Sequence, residues 1–67
     1  MTQIVRFLKD LTVDCIDEDG HQDYRSYSAG VPLPITSVVD VSDFFISITL
    51  SNRIVLIDVA RKDVIIV

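Results

Sequence analysis

Phe44-Phe45-Ile46-Ser47-Ile48-Thr49-Leu50-Ser51-Asn52 alternates apolar and polar residues with a period of two. Phe44, Ile46, Ile48 and Leu50 then face one way, with Ser47, Thr49 and Ser51 opposite, the pattern of a strand with one wet face. Ser51-Asn52 follows as a tight turn, Asn being among the residues that tolerate positive φ. The next segment, Arg53 to Ala60, breaks the one-face rule. Val55, Ile57 and Val59 line one side and Ile54 and Leu56 the other. Ala60-Arg61-Lys62-Asp63 reads as a short polar turn of 3₁₀ type. Val64-Ile65-Ile66-Val67 is apolar on both sides.

Working backwards, Val31, Leu33, Ile35, Val39 and Val41 alternate with Pro32, Pro34, Thr36, Asp40 and Ser42, and only Ser37 and Val38 interrupt the period. The two prolines cannot donate ladder hydrogen bonds, which places that end at an edge or outside the sheet. His21 to Gly30 is polar and reads as a loop or frayed strand. Leu11, Val13 and Cys15 share one face of a strand that ends at Glu18-Asp19-Gly20, with Asp-Gly as the turn signal. Ile4, Phe7, Leu8 and Leu11 sit at i, i+3, i+4 and i+7, so residues 2–11 are expected to form a short helix that Thr2 caps. The same stretch also fits an irregular strand.

The chain has 67 residues, ten of them Val and nine Ile, and is expected to form one domain, 1–67. No apolar run approaches the roughly 18 residues of a membrane span. Arg6, Lys9 and Asp10 break any apolar centre of a secretory leader in Met1 to Leu11. One cysteine allows no internal disulfide, which suits a reducing cytoplasm. Ten Asp and Glu against six Lys and Arg give a net charge of −4. Duplex DNA and anionic membrane are therefore not expected partners.

The order of elements resembles the small β-barrels of the SH3-like and Sm-like (LSm) class. The stretches that carry the resemblance are Leu11 to Gly20, Phe44 to Asn52 and Ile54 to Val67. The expected fold is all-β: a five-stranded, strongly bent antiparallel barrel with a short N-terminal helix. A chain this short builds little core, and a strand apolar on both faces needs cover. The expectation is a homo-oligomer whose interface holds Ile54, Val55, Leu56, Ile57, Val59, Val64, Ile65, Ile66 and Val67. The Sm-like resemblance implies a ring in which the fourth strand pairs with the fifth of the next subunit.

That family also binds single-stranded RNA, with an Asp and Asn pair near the second-to-third strand turn and a basic residue before Gly after the fourth strand. Asp40, Ser42 and Asp43 stand here without an Asn, and Arg61-Lys62 without a glycine. The RNA contacts on this reading are Tyr24, Arg25, Tyr27, Arg61 and Lys62, since aromatic and basic residues in alternation suit single strands.

No catalytic residue, metal ligand or cofactor is assigned. Cys15 and His21 are the only thiol and imidazole, and acids surround both. Asp14, Asp17, Glu18, Asp19 and Asp23 cluster around Gly20. Set as an EF-hand with Gly20 at its sixth position, the loop has Cys15 and Ser26 where its first and last ligands belong. The expected function is a non-enzymatic module for oligomerisation and protein contacts, with the RNA-binding ring as the alternative.

Overall fold

A computed structural model of the chain describes residues 3–67. The strands are β1 (Gln3–Phe7), β2 (Leu11–Ile16), β3 (Gln22–Tyr27), β4 (Leu33–Asp40), β5 (Phe45–Leu50), β6 (Val55–Ala60) and β7 (Val64–Ile66). A single 3₁₀ turn, Arg61–Asp63, joins β6 to β7. All seven form one antiparallel sheet in the order β3-β2-β6-β5-β4-β1-β7. The two outer strands do not pair with each other, so the sheet is open, yet it curls. The ring of Phe7 on β1 stacks on that of Tyr27 on β3, with centroids 5.4 Å apart. The molecule measures 27 × 26 × 23 Å as a result.

The expected all-β class holds, and the five-strand count is corrected to seven. The two extra strands come from the segments read as a helix or irregular strand, 2–11, and as a loop or frayed strand, 21–30. The N-terminal segment is a strand, not a helix. Val5 and Phe7 are buried on its inner face while Leu8 is exposed, a period of two. Pairing decides the matter, because β1 lies between β4 and β7 and hydrogen-bonds to both. The Thr2 cap lies outside the described residues. His21 to Gly30 contains β3, which runs in unbroken register along β2 from Leu11↔Tyr27 to Ile16↔Gln22. Its polarity reflects its place at the sheet edge, with five of its six residues exposed.

Bulges explain the strands with two apolar faces. Ile46 opposes Val59 while Ile48 opposes Leu56, so β6 carries one residue more than β5 between those rungs. The extra residue turns the strand over. Ile54 and Leu56 point inward before it and Val59 after it, all three buried, while Val55 and Ile57 are half-buried. The grouping of Val55 and Ile57 with Val59 is thereby corrected. Asp58 sits at the bulge with φ 53°. A second bulge falls between Ile35 and Ser37 on β4. Past it Val38 packs against the core, while Val39 and Val41 are exposed.

Pro34 lies inside an internal strand, contrary to the edge placement expected of it. Ile4 opposite it exchanges both backbone bonds with Val67, so the β1 side asks nothing of Pro34. Its carbonyl accepts from Ser51 N–H, 3.0 Å, where β5 ends and turns away. Its missing N–H therefore falls where the ladder runs out. In the Ser51–Arg53 turn Arg53, not Asn52, takes positive φ, 73°, while the Asn52 side chain accepts the N–H of Ile54.

One core cluster unites Val5, Phe7, Val13, Cys15, Ile35, Ile46, Ile48, Leu50, Ile54, Leu56 and Val59. No polar side chain is buried among the described residues. The left-handed backbone at Asp58 supplies a test. Asp58→Gly relieves the Cβ strain and is expected to add about 0.5–1 kcal/mol. Asp58→Val, β-branched at the same φ, is expected to lose about 1–2 kcal/mol. Thermal melts of the two variants should move in opposite directions, and equal shifts would contradict the bulge.

Candidate functional site

An apolar exposed surface lies where β4 hands over to β5. Ser42 shapes this loop by accepting, at Oγ, the N–H groups of Phe44 (3.3 Å) and Phe45 (3.2 Å). The backbone N–H of Arg61 donates to Phe44 O, 2.9 Å, fixing the loop against the 3₁₀ turn. With its backbone so held, Phe44 cannot tuck its ring inward and leaves it 74% exposed; Phe45 is 42% exposed. Phe44 was expected on the inner face with Ile46, and the turn into β5 puts it outside. Asp43, Phe44, Phe45, Ala60, Arg61 and Lys62 line a cleft of about 510 Å³. Arg61 pairs with Asp40 across its end, and both side chains are well exposed. Such a pair orients the guanidinium but adds little stability. Lys62 has no ion-pair partner among the described residues.

The residues expected to touch RNA are divided by the fold. Arg61 and Lys62 meet in this cleft. Tyr24 and Arg25 alternate along β3 and so point to opposite faces of the sheet. Tyr27 turns toward the core and stacks on Phe7. Partial burial there pushes its phenol pKa above the ordinary 10.0.

The expected interface residues are divided as well. Ile54, Leu56 and Val59 are in the core of the single chain, and Val55, Ile57, Val64 and Ile66 are half-buried. Ile65 on β7 and Val67 just after it are exposed. β6 pairs with β5 on one side and, at Val55 and Leu56, with β2 on the other. Bulge-induced inversion, not an uncovered second face, accounts for the buried members of the set.

The acidic turn is a built structure of its own. Asp17 Oδ1 accepts the N–H groups of Asp19 and His21, both at 2.9 Å. The bond from His21 is the main cause of a carboxyl pKa held below the ordinary 3.8, with burial opposing it. Ligand atoms of Asp17, Asp19 and His21 lie within 4.8 Å of one another. One oxygen of Asp17, Oδ1, is already engaged in closing the turn. His21 Nδ1 stands 3.9 Å from Asp17 Oδ2, while Cys15 is buried on the core side, so the two do not form a dyad.

A folded pKa below the unfolded one means that Asp17 stabilises the fold above its unfolded pKa. That contribution fades as pH falls through the lower folded value. A carboxyl NMR titration is expected to place the Asp17 midpoint below 3.8. Asp17→Asn keeps an acceptor and is expected to flatten the acid limb of stability; an unchanged limb would refute the assignment.

No helix of the described residues is long and apolar enough to cross a membrane. Set against models of known protein families, curated proteins and solved structures, the chain matches none of them.

Proposed function

We propose that this chain is a non-catalytic β-barrel of the SH3-like class that binds an extended protein segment in the Phe44–Lys62 cleft. The observation that carries the reading is the pair of exposed phenylalanines lining a cleft with Lys62, which has no ion-pair partner among the described residues, in its lining. Isolated exposed apolar residues need no explanation, but adjacent aromatic rings framing a cavity mark an interaction surface. The cleft suits an apolar side chain against Phe44 and Phe45 and a carboxylate near Lys62.

The class assignment is supported by the order of elements. A first strand leads to a long hairpin, then to a three-strand meander. A 3₁₀ turn and a short last strand, returning beside the first, complete it. That is a fold-level analogy, and the function rests on the cleft.

The test is selection of displayed peptides on the immobilised protein. Selected peptides are expected to combine apolar and acidic residues, to shift the amide signals of Phe44, Phe45 and Lys62, and to weaken tenfold or more with Phe44→Ser. Selection that returns no Phe44-dependent peptide, or binding of oligo-U at these residues instead, overturns the proposal.

A further inference from the structure

β3 is the longer of the two edge strands, six residues against three on β7. The β7 edge is further reduced because Val64 N–H already donates to Arg61 O. Charge is the one device on β3 that usually blunts an edge, and here it is self-complementary. The strand has no proline, no lysine and no bulge, and its pairing to β2 is regular throughout. What it has is two opposite charges two residues apart, Asp23 and Arg25, flanking Tyr24, which is 73% exposed.

The phase of the β2–β3 ladder is fixed at the turn. Asp17 N–H donates to His21 O, 2.9 Å, and these two are the next opposed pair in the register. Hydrogen-bonded pairs recur every second residue, so Asp23, Arg25 and Tyr27 direct their backbone groups at β2. Gln22, Tyr24 and Ser26 direct theirs outward. The outward N–H of Tyr24 is accordingly met by the Asp23 side chain, Oδ1 accepting at 2.8 Å.

We infer that the outer edge of β3 docks a second copy of this chain, antiparallel, with Tyr24 opposite Tyr24 and Asp23 opposite Arg25. This register is the one in which the outward groups of Gln22, Tyr24 and Ser26 all meet outward groups. Tyr24 pairs with itself and Gln22 with Ser26 of the second copy. Between those rungs Asp23 faces Arg25 of the second copy, and by symmetry the reverse, at the closely spaced positions where side chains interact best. On docking, the Tyr24 N–H passes from the Asp23 carboxylate to a backbone carbonyl, and the freed carboxylate takes the opposing guanidinium. The strand is self-complementary in hydrogen bonding and in charge at once. This inference does not depend on the Phe44–Lys62 cleft, which lies on other strands.

Sedimentation equilibrium on the full chain tests it, with far-UV spectra confirming that each variant folds. The wild type is expected to reach twice its 7.5 kDa mass as concentration rises. Asp23→Arg and Arg25→Asp each set like charges face to face and are expected to weaken the dimer about tenfold or more. The double exchange restores opposite pairs and is expected to recover most of the loss. Tyr24→Cys should form an intermolecular disulfide, because a hydrogen-bonded pair holds its Cα atoms about 5.5 Å apart. Gln22→Cys, opposed by Ser26, should not. A chain that stays monomeric to about 1 mM, or a dimer indifferent to the charge exchanges, or equal cross-linking of the two cysteine variants, overturns the inference.

Discussion

Leu56→Ala is expected to cost about 3 kcal/mol, a large share of the stability of the chain. Leu56 is wholly buried between Cys15 on β2 and Ile48 on β5, the residues directly opposite it on either side. Truncating a fully buried leucine removes its transfer energy and leaves a cavity, with measured costs of about 2–5 kcal/mol. A domain of this length has a total stability of about 3–10 kcal/mol. Urea titration followed by circular dichroism should therefore show a large fall in midpoint. The informative comparison is Ile57→Ala, one residue away. Ile57 is half-buried, on the outer face, and its truncation is expected to cost less than about 1.5 kcal/mol. A regular strand with Val55, Ile57 and Val59 inward would reverse that order. A larger loss at Ile57 than at Leu56 would thus remove the β6 bulge from the structure.

How far the sequence discloses this fold depends on whether its period survives. Ile46, Ile48 and Leu50 keep strict alternation, and all three are buried as read. Val13 and Cys15 do the same on β2. Alternation fails where a strand gains a residue, because a single insertion moves every later side chain to the other face. Ser37-Val38 carried a visible trace of this, an interruption in an otherwise regular pattern. Asp58 carried a fainter one, a turn-favouring residue within an apolar run. The N-terminal strand had no local signal to separate it from a helix. Ile4, Phe7, Leu8 and Leu11 fit a helical stripe, and only pairing with β4 and β7 selects the extended form.

The candidate site was less legible than the core. Arg61 and Lys62 could be singled out as basic residues in a turn, but Phe44 was read as core. Its exposure follows from three backbone bonds, two to Ser42 Oγ and one from Arg61, and no sequence period encodes them. Tyr24 and Arg25 stand out in the sequence only as an aromatic and basic pair in a loop or frayed strand, and both are exposed. Their meaning changes once β3 is a strand, since alternation then separates them and unites Arg25 with Asp23. Edge chemistry of this kind becomes visible only after register is known.

Phe7→Ala is expected to cost about 3–5 kcal/mol and to loosen the β2–β3 hairpin more than the central strands. Phe7 is the residue through which β1 reaches β3, five places away in the sheet order. Its ring lies nearly parallel to that of Tyr27, at 7°, and its carbonyl accepts Gly30 N–H at 2.9 Å. The backbone bond survives truncation, so the loss reports the ring. Hydrogen exchange is expected to show amides of Gln22–Tyr27 losing protection before those of Phe45–Leu50. Leu8→Ala, exposed on the strand reading, should stay within about 0.5 kcal/mol, whereas a helix with Phe7 and Leu8 on one stripe would make it costly. A Phe7→Ala/Tyr27→Ala cycle should give a coupling of about 0.5–1.5 kcal/mol. The tyrosine adds an independent reading through pH. Its folded pKa lies above its unfolded one, so above about pH 10 the unfolded chain releases the proton first and stability falls as pH rises. Tyr27→Phe keeps the stack and removes the proton, and should abolish the part of the alkaline fall that Tyr27 causes. Phe7→Ala should shrink that part by opening the phenol to water. An alkaline limb identical in all three proteins would mean that the two rings do not meet in solution, and with them would go the curl that brings β1 to β3.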